Sequence, residues 1–76
     1  MTPATIRYFW SLIESTQTHV LLKLDDPSLV QWLLKQVDQG RSLNNEESNM
    51  LSDYIYSRLT LIRDLAHERL TPDPLF

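Results

Sequence analysis

The stretch SRLTLIRDLAHERL, from Ser57 to Leu70, decides the fold of this chain because its apolar residues recur at the spacing of an α-helix. Two arginines, Arg58 and Arg69, fall near the centre of the same apolar arc. Each arginine either lays its stem on apolar surface with its head in water, or pairs with a carboxylate such as Asp53 or Glu14 across an association seam. The sequence leaves both alternatives open.

The helix that contains this stretch is predicted to cover residues 45–70. Asn44 as N-cap with Glu47 three residues later matches a capping box. The helix would be about 39 Å long at 1.5 Å per residue. Its apolar positions span about 200° of the helical wheel, which is more than one neighbouring helix can cover. They are Met50, Leu51, Tyr54, Ile55, Leu59, Leu61, Ile62, Leu65, Ala66 and Leu70.

An earlier helix is predicted over residues 3–24, with Thr2 as its cap and Pro3 in the first helical position. The segment STQTHV, residues 15–20, is weak helix material because serine, threonine and histidine have low helix propensity. A break near residues 15–18 is therefore the alternative. We expect a continuous helix, since a lone strand in this region would find no second strand to pair with.

The middle helix is predicted over residues 27–39. Asp26 before Pro27 gives an N-cap followed by proline at the first helical position, and Gly40 stands where a left-handed C-terminal cap is wanted. Trp32 lies outside the apolar stripe of this helix, and a large aromatic side chain in such a place indicates an interface. The short connection to the next helix predicts an antiparallel helical hairpin.

The fold class is therefore predicted as all-α: one domain over residues 1–76, with three helices and an extended tail, TPDPLF, over 71–76. A chain of 76 residues builds only a marginal core, and without cysteine it has no disulfide to support that core. We expect two copies to assemble as a homodimeric helical bundle, and the absence of cysteine fits a reducing compartment.

Charge and hydropathy bear on the class of partner. The formal net charge is −3, which weakly repels nucleic acids and anionic membrane surfaces. No run of apolar residues is long enough to cross a bilayer. We therefore expect a cytoplasmic protein with no membrane partner, for which nucleic acid is a disfavoured partner.

Side chains with catalytic or metal-binding chemistry are sparse. Asp64, His67 and Glu68 have a spacing at which one helix could present them to a metal, but a solvated helix face explains them better. His19 has hydroxyl residues nearby and no nucleophile or phosphate-loop motif. We expect no enzyme activity, no metal site and no cofactor.

A helix-turn-helix regulator that binds nucleic acid is the alternative function. VDQGRSLN, residues 37–44, would be its turn, and the helix that follows would enter the major groove. That helix begins with Glu46 and Glu47, where readers of nucleic acid want basic or amide side chains. The acidic first turn argues against this alternative.

The favoured function is a non-catalytic interaction or regulatory adaptor module. It would self-associate through the apolar face of the helix over 45–70 and could also bind an unidentified protein partner. Leu51, Ile55, Ile62 and Leu65 would form the centre of the seam. The complete predicted interface is Trp32, Leu51, Tyr54, Ile55, Arg58, Ile62, Leu65 and Arg69.

Two segments, KLDDPSLVQWLLKQV (residues 23–37) and SRLTLIRDLAHERL, resemble segments of short uncharacterised proteins of cyanobacteria. The resemblance covers about residues 21–70 and contains no motif of known mechanism. It implies a cytoplasmic accessory or regulatory protein of a photosynthetic bacterium, and it implies no activity, ligand or site.

Overall fold

A computed structural model describes residues 2–70, which contain four α-helices and no strand. The helices are α1 (Pro3–Ser15), α2 (Thr18–Lys23), α3 (Asp26–Gly40) and α4 (Asn45–Leu70). The all-α prediction is confirmed. The count of three helices is wrong, because the segment predicted as one helix over 3–24 divides into α1 and α2. The predicted tail over 71–76 lies outside the described residues.

The break between α1 and α2 is made by side chains that compete with helical hydrogen bonds. The hydroxyls of Ser15 and Thr16 both donate to the carbonyl oxygen of Leu12, at 3.0 and 2.7 Å. Thr16 and Gln17 then take extended backbone conformations. Serine and threonine often offer the backbone this alternative to helix, so the low propensity of the segment prevails over the continuous apolar pattern.

The position of Pro27 is consistent with where α3 begins. Asp25 is the N-cap and Asp26 is the first helical residue, so α3 starts one residue before the predicted helix. Its first turn is closed by a hydrogen bond from the backbone N–H of Leu29 to the carbonyl oxygen of Asp25, at 2.9 Å. Pro27 lies in this first turn, where its missing N–H removes no helical hydrogen bond.

The end of α3 corrects the predicted role of Gly40. This residue is the last one in the helix, and its φ is not positive, so it forms no left-handed cap. A Cβ at this position would instead overlap the hydroxyl end of the Tyr8 side chain. The Tyr8 ring of α1 thus approaches the backbone of α3 so closely that a side chain at position 40 would require the ring to move.

The capping box at the start of α4 is confirmed. The backbone N–H of Glu47 donates to Asn44 Oδ1 at 2.7 Å, and the N–H of Asn44 donates to Glu47 Oε1 at 3.3 Å. The start of α4 agrees with the predicted range, and the helix continues to Leu70, the last residue described. None of the helices within residues 2–70 combines the length and apolar composition needed to cross a bilayer.

One core connects the four helices. Both α2 and α3 pack on α4, and α1 packs on α3. All four helices contribute side chains that are completely or almost completely buried. They are Phe9, Ile13, Leu21, Leu29, Val30, Leu33, Val37, Leu51, Ile55, Leu59, Ile62 and Ala66. The dimeric bundle remains a prediction.

Candidate interaction surface

The predicted centre of the seam lies mostly inside the single chain. Leu51, Ile55 and Ile62 each have 0% exposure, and each packs in the core described above. They therefore leave no side-chain area for a second subunit to cover in this conformation. The shorter helices cover only part of the apolar arc of α4. The buried residues of α4 span about 80° of the helical wheel at 100° per residue.

Arg69 takes neither of the two roles that the sequence left open. Its Nη1 donates to the carbonyl oxygen of Thr16 at 2.9 Å, and its Nη2 donates to that of Ile13 at 3.0 Å. These carbonyls lie at the C-terminal end of α1, where helical partners are missing and a positive charge is favoured by the helix dipole. Arg69 is thus a C-terminal cap supplied by α4.

Arg63 has the same role at the end of α2, and the sequence did not single it out. Its guanidinium donates to the carbonyl oxygens of Leu21 and Leu24 at 2.9 and 2.8 Å, with a longer contact of 3.5 Å to that of Leu22. Its Nη2 also lies 2.8 Å from Asp26 Oδ1 in the first turn of α3. One guanidinium therefore holds the α2–α3 junction on α4.

Tyr54 and Arg58 form a small cluster with α1. Trp10 Nε1 donates to the Tyr54 hydroxyl at 2.9 Å, and the rings of Phe9 and Trp10 meet Tyr54 edge to face. Arg58 stacks over the outer face of the Tyr54 ring, with its Cζ 5.0 Å from the ring centroid. Arg58 is exposed and forms no ion pair with a residue in 2–70, so its guanidinium is accessible from solvent.

A second apolar stripe of α4 is left uncovered. Met50, Leu61 and Leu65 are 44%, 46% and 37% exposed, and Tyr54 lies between them half-buried. At 100° per residue these four residues fall within about 60° of the wheel, beside the buried arc. We name Met50, Tyr54, Leu61 and Leu65 the α4 stripe. Leu65 and Tyr54 were predicted interface residues, whereas Met50 and Leu61 were not.

Trp32 lies half-buried on α3, away from the predicted seam residues in the core. One side of it borders an open depression with Pro27, Ser28, Gln31 and Lys35. The other side borders a depression at the α1–α2 break, where Leu12 and Val20 are its apolar neighbours. The structure thus divides the eight predicted interface residues among the core, a helix cap and two separate surfaces.

Candidate metal ligands do not cluster within residues 2–70. No group of three or more acidic or histidine side chains in this range converges on a point where it could hold a metal ion. Asp64, His67 and Glu68 are all exposed on α4. His19 is also exposed, at the start of α2.

The helix-turn-helix alternative meets two obstacles in the geometry. Glu47, in the first turn of α4, is committed to the capping box with Asn44. Arg63 and Arg69, farther along the same helix, donate hydrogen bonds to backbone carbonyls at the ends of α2 and α1. Of the three arginines of α4, Arg58 is the one that donates to no backbone carbonyl within residues 2–70.

No protein-family model, curated protein or solved structure gives a match to this chain. The candidate surfaces are therefore interpreted from their own geometry. The two that remain accessible are the α4 stripe with Arg58, and the surface around Trp32.

Proposed function

We propose that this protein is a non-catalytic interaction module that self-associates through the α4 stripe. Support comes from the spacing of its four residues, which are separated by four, seven and four positions along the helix. This order is the same when it is read from either end. An isologous pair with two-fold symmetry requires such self-complementarity, because the same patch must serve on both subunits.

In an antiparallel pairing of two α4 helices, Met50 would meet Leu65 of the second copy and Tyr54 would meet its Leu61. The two-fold axis would pass between Ser57 and Arg58. Three of these side chains are more than one third exposed, so pairing would remove real apolar surface from water. Arg58, already lying on the Tyr54 ring, would close the middle of the seam.

The association is expected to be weak. A stable interface buries about 800 Å² on each partner, and one helix stripe of four turns offers less. In the same register Glu47 would face Glu68 of the second copy, a like-charge pair. We therefore expect a reversible dimer with a dissociation constant in the range of about 10 to 100 µM, strengthened by added salt because salt screens this repulsion.

Sedimentation equilibrium over micromolar to millimolar concentrations tests the proposal. The wild-type chain should show a monomer–dimer equilibrium, and Leu61→Asn should remove it. Tyr56→Asn is the matched control, since Tyr56 is 47% exposed compared with 46% for Leu61 and lies about 140° away on the helix. A wild-type chain that stays monomeric, or a dimer that both variants weaken equally, would defeat the proposal.

A further inference from the structure

The joint between α1 and α2 consists of two residues, Thr16 and Gln17, that interrupt an otherwise helical segment. Their φ angles are −79° and −62°, which are close to the helical value, and only their ψ angles, both 139°, are extended. Neither residue is glycine or proline. The change from the bent joint to a continuous helix therefore needs little more than a rotation about two bonds.

The apolar pattern of this segment fits a helix that passes through the joint. At 100° per residue, the apolar residues of α1 and α2 share one stripe about 120° wide if the helix is counted without a break. They are Ile6, Phe9, Trp10, Ile13, Val20, Leu21 and Leu24. The sequence thus encodes a continuous helix that the folded single chain does not form.

The hydrogen bonds that hold the bent joint all have a helical replacement. The Thr16 hydroxyl donates to the carbonyl of Leu12 at 2.7 Å, and Arg69 donates to the carbonyls of Ile13 and Thr16 at 3.0 and 2.9 Å. In a continuous helix each of these three carbonyls would accept the backbone N–H four residues later. Both arrangements of the joint therefore satisfy the same groups.

Straightening the joint would carry α1 away from the helices on which it packs. In the single chain Tyr8 lies against Gly40 of α3, and Trp10 donates to the Tyr54 hydroxyl at 2.9 Å. Phe9, which is completely buried, would lose its cover. The place that α1 leaves has the shape and donors of α1 itself, so α1 of a second copy fits it with the same contacts.

We propose that the α1–α2 joint is a hinge through which two copies of this chain exchange α1. In the exchanged dimer α1 and α2 of each copy form one helix, and each α1 packs on α3 and α4 of the other copy. The core contacts are those of the single chain, so this inference does not depend on the α4 stripe. Exchange is slow, because α1 must first leave its own core.

Refolding from urea at millimolar concentration, followed by dilution to micromolar and immediate size-exclusion chromatography, tests the inference. A dimer joined through the α4 stripe dissociates on dilution, whereas the exchanged dimer should still elute as a dimer. Isotope-filtered NOE spectra of a dimer mixed from labelled and unlabelled chains should connect Tyr8 of one chain with Gly40 of the other. Elution as monomer only, or a dimer without these contacts between chains, would overturn the inference.

Two substitutions of Gln17 are a matched pair at the hinge. Proline fits the bent joint, because Gln17 has a φ of −62° and Thr16 before it is extended, but proline breaks a continuous helix. Gln17→Pro should therefore abolish the slowly dissociating dimer. Gln17→Ala should raise its association constant about threefold, since alanine favours helix and each dimer contains two hinges. An equal amount of slow dimer in the two variants would contradict the hinge.

The hinge and the α4 stripe can fail separately. Leu61→Asn should leave the slow dimer unchanged, because α1 exchange does not use the stripe. Gln17→Pro should leave the rapid monomer–dimer equilibrium of the stripe unchanged. A rapid equilibrium without a slow dimer contradicts the hinge alone, and a slow dimer without a rapid equilibrium contradicts the stripe alone.

Discussion

Arg69 caps α1 at Thr16: its Nη1 lies 2.9 Å from the carbonyl oxygen of a residue 53 positions earlier in the chain. The same guanidinium reaches the carbonyl of Ile13 at 3.0 Å. This arginine lies on the apolar side of α4 because the end of a neighbouring helix needs donors there. The end of this 13-residue helix therefore combines local donors on the Leu12 carbonyl with a distant arginine on the carbonyls of Ile13 and Thr16.

Arg69→Gln should lower the free energy of unfolding by about 1 kcal/mol, near the low end for hydrogen bonds from a charged donor, because Arg69 is exposed to solvent. Urea denaturation followed by circular dichroism measures the change. Arg58→Gln is the matched control on the same helix, since Arg58 caps no helix and its polar contacts among the described residues are the Ser57 hydroxyl and the Tyr54 ring. Equal losses in the two variants would contradict the capping role.

Arg63→Gln should be more damaging than Arg69→Gln, with a loss of about 2 kcal/mol, because this side chain is only 22% exposed and serves several acceptors. Its carboxylate partner should contribute little. Asp26 is 61% exposed, so Asp26→Asn should cost no more than about 0.5 kcal/mol.

A double-mutant cycle on these two residues checks the assignment. A coupling free energy that is small compared with the loss in Arg63→Gln means that the carbonyls of α2 are the main acceptors. A coupling as large as the whole loss would mean that the ion pair, and not the cap, holds the junction.

Gly40→Ala should destabilise the protein by about 1 kcal/mol, because a methyl group would displace the Tyr8 ring from its place against the core. In a Tyr8→Ala background the sign should reverse. Gly40 is helical with no positive φ, and at such a position alanine ordinarily stabilises by about 0.5 to 1 kcal/mol. Thermal unfolding of the four variants measures both effects, and a destabilising Gly40→Ala in both backgrounds would exclude the Tyr8 contact as its cause.

Leu51→Ala and Leu61→Ala should separate folding from association. Leu51 is completely buried, so its truncation should cost about 2 to 5 kcal/mol, whereas Leu61→Ala should change the monomer by no more than about 0.5 kcal/mol. Leu61→Ala should instead weaken self-association measured by sedimentation. If Leu61→Ala unfolds the dilute monomer, the stripe belongs to the core and not to an interface.

The sequence predicted the elements whose signals are local. The spacing of Asn44 and Glu47 predicted a capping box at the start of α4, and the structure shows both of its hydrogen bonds. The apolar period of α4 predicted a helix that continues without a break from Asn45 to Leu70, as the structure shows. Ser15 and Thr16 also carried a local signal, and the interpretation as a continuous helix was wrong because apolar periodicity was weighted above hydroxyl competition.

The residues missed or misplaced are those whose roles depend on distant partners. The carbonyls that Arg63 binds lie about 40 residues earlier, and no spacing rule connects them. Gly40 was predicted to be a helix cap because the sequence does not show the close approach of Tyr8. That contact comes from another helix, and only the structure places the Tyr8 side chain where a Cβ of residue 40 would lie. Leu51 and Leu61 belong to the same apolar arc on the wheel, and only the placement of the shorter helices decides which one is buried.

The two guanidinium caps have a consequence for how this chain is made. The ends of α1 and α2 leave the ribosome long before the arginines that complete them, which are among the last residues described. Until α4 is present, the ends of α1 and α2 lack their arginine donors, and α2 lacks the helix on which it packs. We therefore expect α1 and α2 to reach their native packing only together with α4, and a chain truncated before Arg63 to lack both caps.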